Sequence, residues 1–91
     1  MKNDALLRVF RRTRDLLARP DNDFGWSSWK DVSAALQEID AVIETLTTGA
    51  QPDIAQLRVL FAPTGPIQEV SLSSGWGDAF EELAKELDAF L

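Results

Sequence analysis

Between Phe61 and Gly77 the chain reads Phe-Ala-Pro-Thr-Gly-Pro-Ile-Gln-Glu-Val-Ser-Leu-Ser-Ser-Gly-Trp-Gly. Two of the four prolines, three of the five glycines and one of the three tryptophans fall in this stretch. Prolines fix φ and glycines permit angles closed to other residues, so the backbone here has a prescribed shape. Two shapes fit. In the first, Thr64-Gly65-Pro66 opens a short helix, because a proline at the first helical position gives up no hydrogen bond. Gln68 then reaches back toward the cap, and Gly75 is the left-handed stop. In the second, Leu57, Val59 and Phe61 alternate on one strand and Gln68, Val70 and Leu72 on another. Pro-Thr-Gly-Pro is then the turn of a β-hairpin at about 56–72. The helix is the preferred reading; the hairpin makes the chain α+β.

The remaining segments carry helical periodicity. Leu6, Val9, Phe10, Thr13, Leu16 and Leu17 form one stripe over residues 4–18, with Arg8, Arg11, Arg12, Asp15 and Arg19 opposite and Pro20 as the terminator. A loop over 19–28 leads to a helix expected over 29–48, capped by Ser28 or Ser27 and stopped by Gly49. Along it Trp29, Val32, Leu36, Ile39, Ile43 and Leu46 recur at alternating steps of three and four, a heptad-like seam. Pro52-Asp53 opens a third helix to about residue 61. A last helix over 78–91 turns Phe80, Leu83, Ala84, Leu87 and Phe90 inward. The expectation is an all-α, compact bundle of four or five helices in one domain, 1–91, with the long second helix as its spine. A chain of 91 residues, 45% hydrophobic, has material for one modest core.

The charge of −6 is unevenly placed. Residues 1–19 hold six basic side chains (Lys2, Arg8, Arg11, Arg12, Arg14, Arg19) against two acidic ones, and the rest of the chain holds three against thirteen. The basic face, Arg8, Arg11, Arg12 and Arg19, either grips an acidic partner or lies against the protein's own acidic helices. The second is the plainer expectation. No run approaches the ~18 apolar residues of a membrane span. The N-terminal residues have no apolar signal core, and a cytoplasmic location is expected.

Histidine, cysteine and tyrosine are absent. That excludes Ser-His-Asp and Cys-His nucleophilic catalysis, histidine- or thiolate-held zinc and disulfides. Asp21-Asn22-Asp23 begins like a calcium loop, but Gly25, Trp26 and Val32 stand where an oxygen ligand, the glycine and the bidentate glutamate belong. Gly75-Trp76-Gly77 lacks the third glycine of a dinucleotide loop, and no phosphate-cradling Gly-Lys-Ser/Thr occurs. No cofactor, no metal and no enzyme activity are expected; carboxylates alone are left for acid–base chemistry.

What remains is recognition. Phe24, Trp26 and Trp29 bracket one loop, and Pro63, Thr64, Pro66 and Trp76 mark the corner after the third helix. Aromatics are enriched at binding hot spots, so these seven residues are the candidate protein contact. They are equally suited to closing the open end of the core, since each ring buries ~150–250 Å². Residues 66–90 resemble a helix-turn-helix, with Val70, Gly75, Trp76, Phe80 and Leu83 where that motif has its apolar residues and turn glycine. The resemblance implies a DNA-binding regulator whose second helix enters the major groove. That helix carries Asp78, Glu81, Glu82, Glu86 and Asp88 against Lys85, which would repel phosphates, so nucleic acid is not the expected partner. The leading expectation is a small acidic, non-catalytic module that binds or regulates another protein. A homodimer through the 29–46 seam is the further alternative.

Overall fold

The computed structural model describes residues 3–91; Lys2, counted above with the basic end, lies outside them. Five α-helices follow in order: α1 Asp4–Leu17, α2 Val32–Thr47, α3 Ile54–Leu60, α4 Pro66–Ser74 and α5 Gly77–Asp88. No strand occurs among the described residues, so the hairpin alternative falls. Residues 66–74 are helical, with Pro66 in the first turn and Gly75 at φ 85° as the left-handed cap. Gln68 does reach back, its Oε1 accepting from the Thr64 amide one residue before the cap. Thr64 stands at φ 63°, an uncommon conformation for a β-branched residue. The corner also needs a glycine for space. A Cβ on Gly65 would meet the Val59 carbonyl oxygen at 2.7 Å and that of Ala62 at 2.9 Å.

The stripe on α1 is buried as its spacing demands: Leu6, Val9, Phe10, Thr13, Leu16 and Leu17 all face inward. Thr13 fits because its hydroxyl donates to the Val9 carbonyl at 2.8 Å, so no polar atom is left unpaired. α1 packs along α2 and against α5, and α4 packs against α5. Three rings tie these layers together. Phe10 meets Phe61 edge to face at 5.6 Å, and Phe61 stacks on Phe80 at 6.0 Å.

Three expectations need correction. α2 begins at Val32 rather than at 29, and its cap is Asp31, whose carboxylate accepts from the Ala34 amide at 3.0 Å. Neither Ser28 nor Ser27 caps: both precede the first turn, with the Ser28 amide donating to Glu69 and Ser27 Oγ donating to the Pro66 carbonyl. The seam is rotated from the heptad reading. Ala35, Ile39, Val42 and Leu46 are the buried residues of α2, while Leu36 and Ile43 are half-buried and Val32 is exposed. This face lies against α1, as an amphipathic helix in its own core does. The last helix stops at Asp88, so Phe90 falls beyond it and is exposed, and Leu91 packs against the core instead.

Candidate docking surface

The three tryptophans separate into two kinds. Trp29 and Trp76 are buried, at 7% and 5% exposure, and Trp26 stands out at 77%. Both buried indoles satisfy their N–H groups: Trp29 Nε1 donates to Glu38 Oε1 at 3.0 Å, and Trp76 Nε1 to Asn22 Oδ1 at 2.9 Å. A buried indole without such a partner would lose a hydrogen bond to water uncompensated. Phe24 is half-buried and packs on the core. Of the candidate contact residues, then, Trp29 and Trp76 close the core, Phe24 straddles its edge, and Trp26 alone of the aromatic group is a free surface. Pro63 and Thr64 are exposed, and Pro66 is half-buried.

The loop carrying Trp26 is tied down at both ends. Asn22 Nδ2 donates to the carbonyls of Leu16 at 2.7 Å and Leu17 at 3.0 Å, closing the open end of α1. The same side chain accepts from Trp76, so one amide joins α1, the loop and the α4–α5 turn. The Asp23 amide donates to Ser74 Oγ at 2.9 Å, at the last residue of α4. At the other end, Ser27 Oγ donates to the Pro66 carbonyl at 3.3 Å and the Ser28 amide to Glu69 Oε1 at 3.3 Å. The loop thus runs beside α4 between its last residue and its first turn. Trp26 rises between those two anchors, and the Ser27–Ser28 end adjoins the Pro63–Pro66 corner. The two candidate regions, far apart in sequence, become one surface.

In the sequence Asn22 drew notice only as part of a failed calcium loop, not as a tie between elements. Its signal was present but ambiguous: asparagine between aspartates marks a turn, and only the fold shows which donors and acceptors it joins.

The basic face is exposed at Arg8, Arg11, Arg12 and Arg19. Arg8 and Arg12 line one groove with Glu82 and Glu86 of α5, so charges separated in sequence face each other in the fold. Arg14, not counted in that face, makes a two-pronged contact to Asp40 on α2, at 2.6 and 3.4 Å. That hydrogen bond, and then the Asp40 charge, raises the guanidinium pKa above its ordinary value. Among the described residues no group of three or more acidic side chains is placed to hold a metal ion, and no helix is long and apolar enough to cross a membrane. No protein-family model, curated protein or solved structure matches the chain significantly.

Proposed function

We propose that the protein is a docking module that works by binding another protein, with Trp26 as the central contact. One observation carries this reading: a large indole stands 77% exposed on a loop fixed to α1, α4 and the α4–α5 turn. An exposed indole forfeits ~2 kcal/mol or more of available burial. Holding it on an anchored loop means that little ordering entropy is lost when a partner covers it. Tryptophan is also the residue type most enriched among binding hot spots. Pro63 and Thr64 extend the contact past the start of α4. The acidic face of α5 repels polyanions and favours a basic or neutral partner surface, which sets this reading above DNA binding through the helix-turn-helix-like segment.

The test separates a contact residue from a structural one. Trp26→Ala is expected to leave the unfolding midpoint unchanged within about 0.5 kcal/mol, as exposed substitutions do. It is expected to abolish retention of whichever native-extract protein the wild-type chain captures. A variant that melts early, or one that keeps every partner, removes Trp26 from the role.

A further inference from the structure

Two residues from Trp26, on the same anchored loop, Phe24 forms one wall of a groove of about 340 Å³ between the end of α1 and the start of α2. Pro20 and Val32 are its other apolar walls, and its charged groups are Arg19, Lys30 and Asp31. Trp26 does not line it; that indole stands in solvent at 77% exposure. The three kinds of group in the groove suit an indole. Apolar walls take the ring, which buries ~150–250 Å². A cation is attracted to the ring face, and tryptophan is the aromatic residue that attracts it best. A carboxylate accepts the indole N–H, as Glu38 does for Trp29 within this same molecule. An anionic segment would meet Asp31 here, and Asp21 and Asp23 exposed on the same loop. A neutral ring with one donor meets no like charge.

Charge also selects the owner of that indole. Two copies of a chain of net charge −6 repel each other over most of their surface. Residues 19–31 hold Arg19 and Lys30 against Asp21, Asp23 and Asp31, a local charge of −1, so little repulsion arises where these segments meet. Across a two-fold axis a patch meets itself, and a patch carrying both signs sets cations of one copy against carboxylates of the other. A knob and a hole on the same loop meet the same requirement: each copy gives one indole and receives one.

We infer that two copies of this chain associate through the Trp26 loop, the indole of each seated in the groove of the other. The inference rests on the reading of Trp26 as a contact residue and adds a regulation of that contact. Self-association covers the indole; dilution, or a docking partner that competes for it, uncovers it. The contact is small, at the low end of specific interfaces, so the dimer is weak and reversible.

Sedimentation equilibrium of the full chain from about 10 µM to about 1 mM, the range of weak contacts, tests this. The mean mass is expected to rise from monomer toward dimer and no further, because a closed two-fold contact leaves no site open. Trp26→Ala is expected to weaken association at least about tenfold, the scale of a hot-spot truncation. Val32→Gln keeps the charge and makes one groove wall polar; a loss of roughly threefold or more is expected. Val59→Ala removes an apolar side chain 64% exposed on α3 and is expected to leave association unchanged. Acrylamide quenching of the Trp26 emission should fall as the dimer forms. A mass that stays monomeric throughout overturns the inference. So does growth beyond the dimer, an association that Trp26→Ala or Val32→Gln leaves unchanged, or one that Val59→Ala weakens as much. A strictly monomeric chain whose partner capture still needs Trp26 removes the dimer and keeps the docking reading. A Trp26-dependent dimer with capture indifferent to Trp26 does the reverse.

Discussion

Helix α1 and the loop that follows it are adjacent in sequence and are held by opposite means. In α1 six side chains at helical spacing are buried, and the helix makes its own backbone hydrogen bonds. In residues 19–31 the chain has no regular ladder. It is held by side-chain and backbone bonds to positions 39 to 54 residues away in sequence, at Pro66, Glu69, Ser74 and Trp76. A periodic element announces its buried face through spacing. An irregular one is shaped by partners that its own residues do not name. The same contrast separates structure from recognition: α1 supplies core, and the loop supplies the exposed indole.

Substitutions in the two regions should therefore fail in different ways. The largest effect is expected from Phe10→Ala, which empties a fully buried site edge-on to Phe61; a loss of about 3–5 kcal/mol is expected. In a domain of this size that approaches the whole folding free energy, and the far-ultraviolet circular dichroism melt should collapse. Asn22→Ala should come next, at about 2 kcal/mol, because it leaves the Trp76 N–H and the Leu17 carbonyl without their Asn22 partner and the Leu16 carbonyl with the Arg19 amide alone. Its distinguishing readout is hydrogen exchange. Amides of the loop and the α4–α5 turn should lose more protection than those of central α1, which should speed up only as far as the fall in global stability requires. Uniform acceleration would show that the loop has no separate anchoring and would erase the contrast.

Gly75→Ala should cost about 1 kcal/mol, since an L side chain at φ 85° is strained even though the space around it is open. The smallest expected effect is Trp26→Ala, under about 0.5 kcal/mol in a urea titration. Acrylamide quenching sharpens the point. In the wild type a fraction of the tryptophan emission should be readily quenched, and that fraction should vanish in Trp26→Ala while surviving in Trp29→Phe. If Trp26→Ala destabilises as much as a core truncation, the indole is structural and the docking surface loses its centre.

Much of the fold was legible from residue pattern. The inward face of α1, the start of α3 at Asp53, the Pro66 opening and the Gly75 stop all follow from chemistry acting within a few residues. Errors cluster where a choice depended on distant groups. Ser28 and Ser27 were the caps expected for α2, and Asp31 is chemically as competent. The position of the Pro66 carbonyl engages Ser27 and leaves Asp31 as the cap. The heptad-like seam on α2 contained the right residues at Ile39 and Leu46. It included Val32 and omitted Ala35 and Val42, because the direction from which α1 approaches selects among neighbouring stripes. Phe90 has the spacing of an inward residue, but α5 ends before it.

The candidate surface was half legible. Seven residues stood out by type and position, and the chain itself specified that the loop and the corner would be shaped by turn chemistry. Nothing in Phe24, Trp26 or Trp29 says which ring is exposed, since all three have similar appetite for burial. The sequence alone determined the helices, their punctuation and the exclusion of histidine, thiol and phenol chemistry, because those depend on bonded neighbours and on which side chains exist. Tertiary structure decided which tryptophan stays in water and that Arg14 meets Asp40. Exposure and charge pairing depend on what arrives across the fold, and Asn22 bonding to Trp76 arrives from 54 residues away.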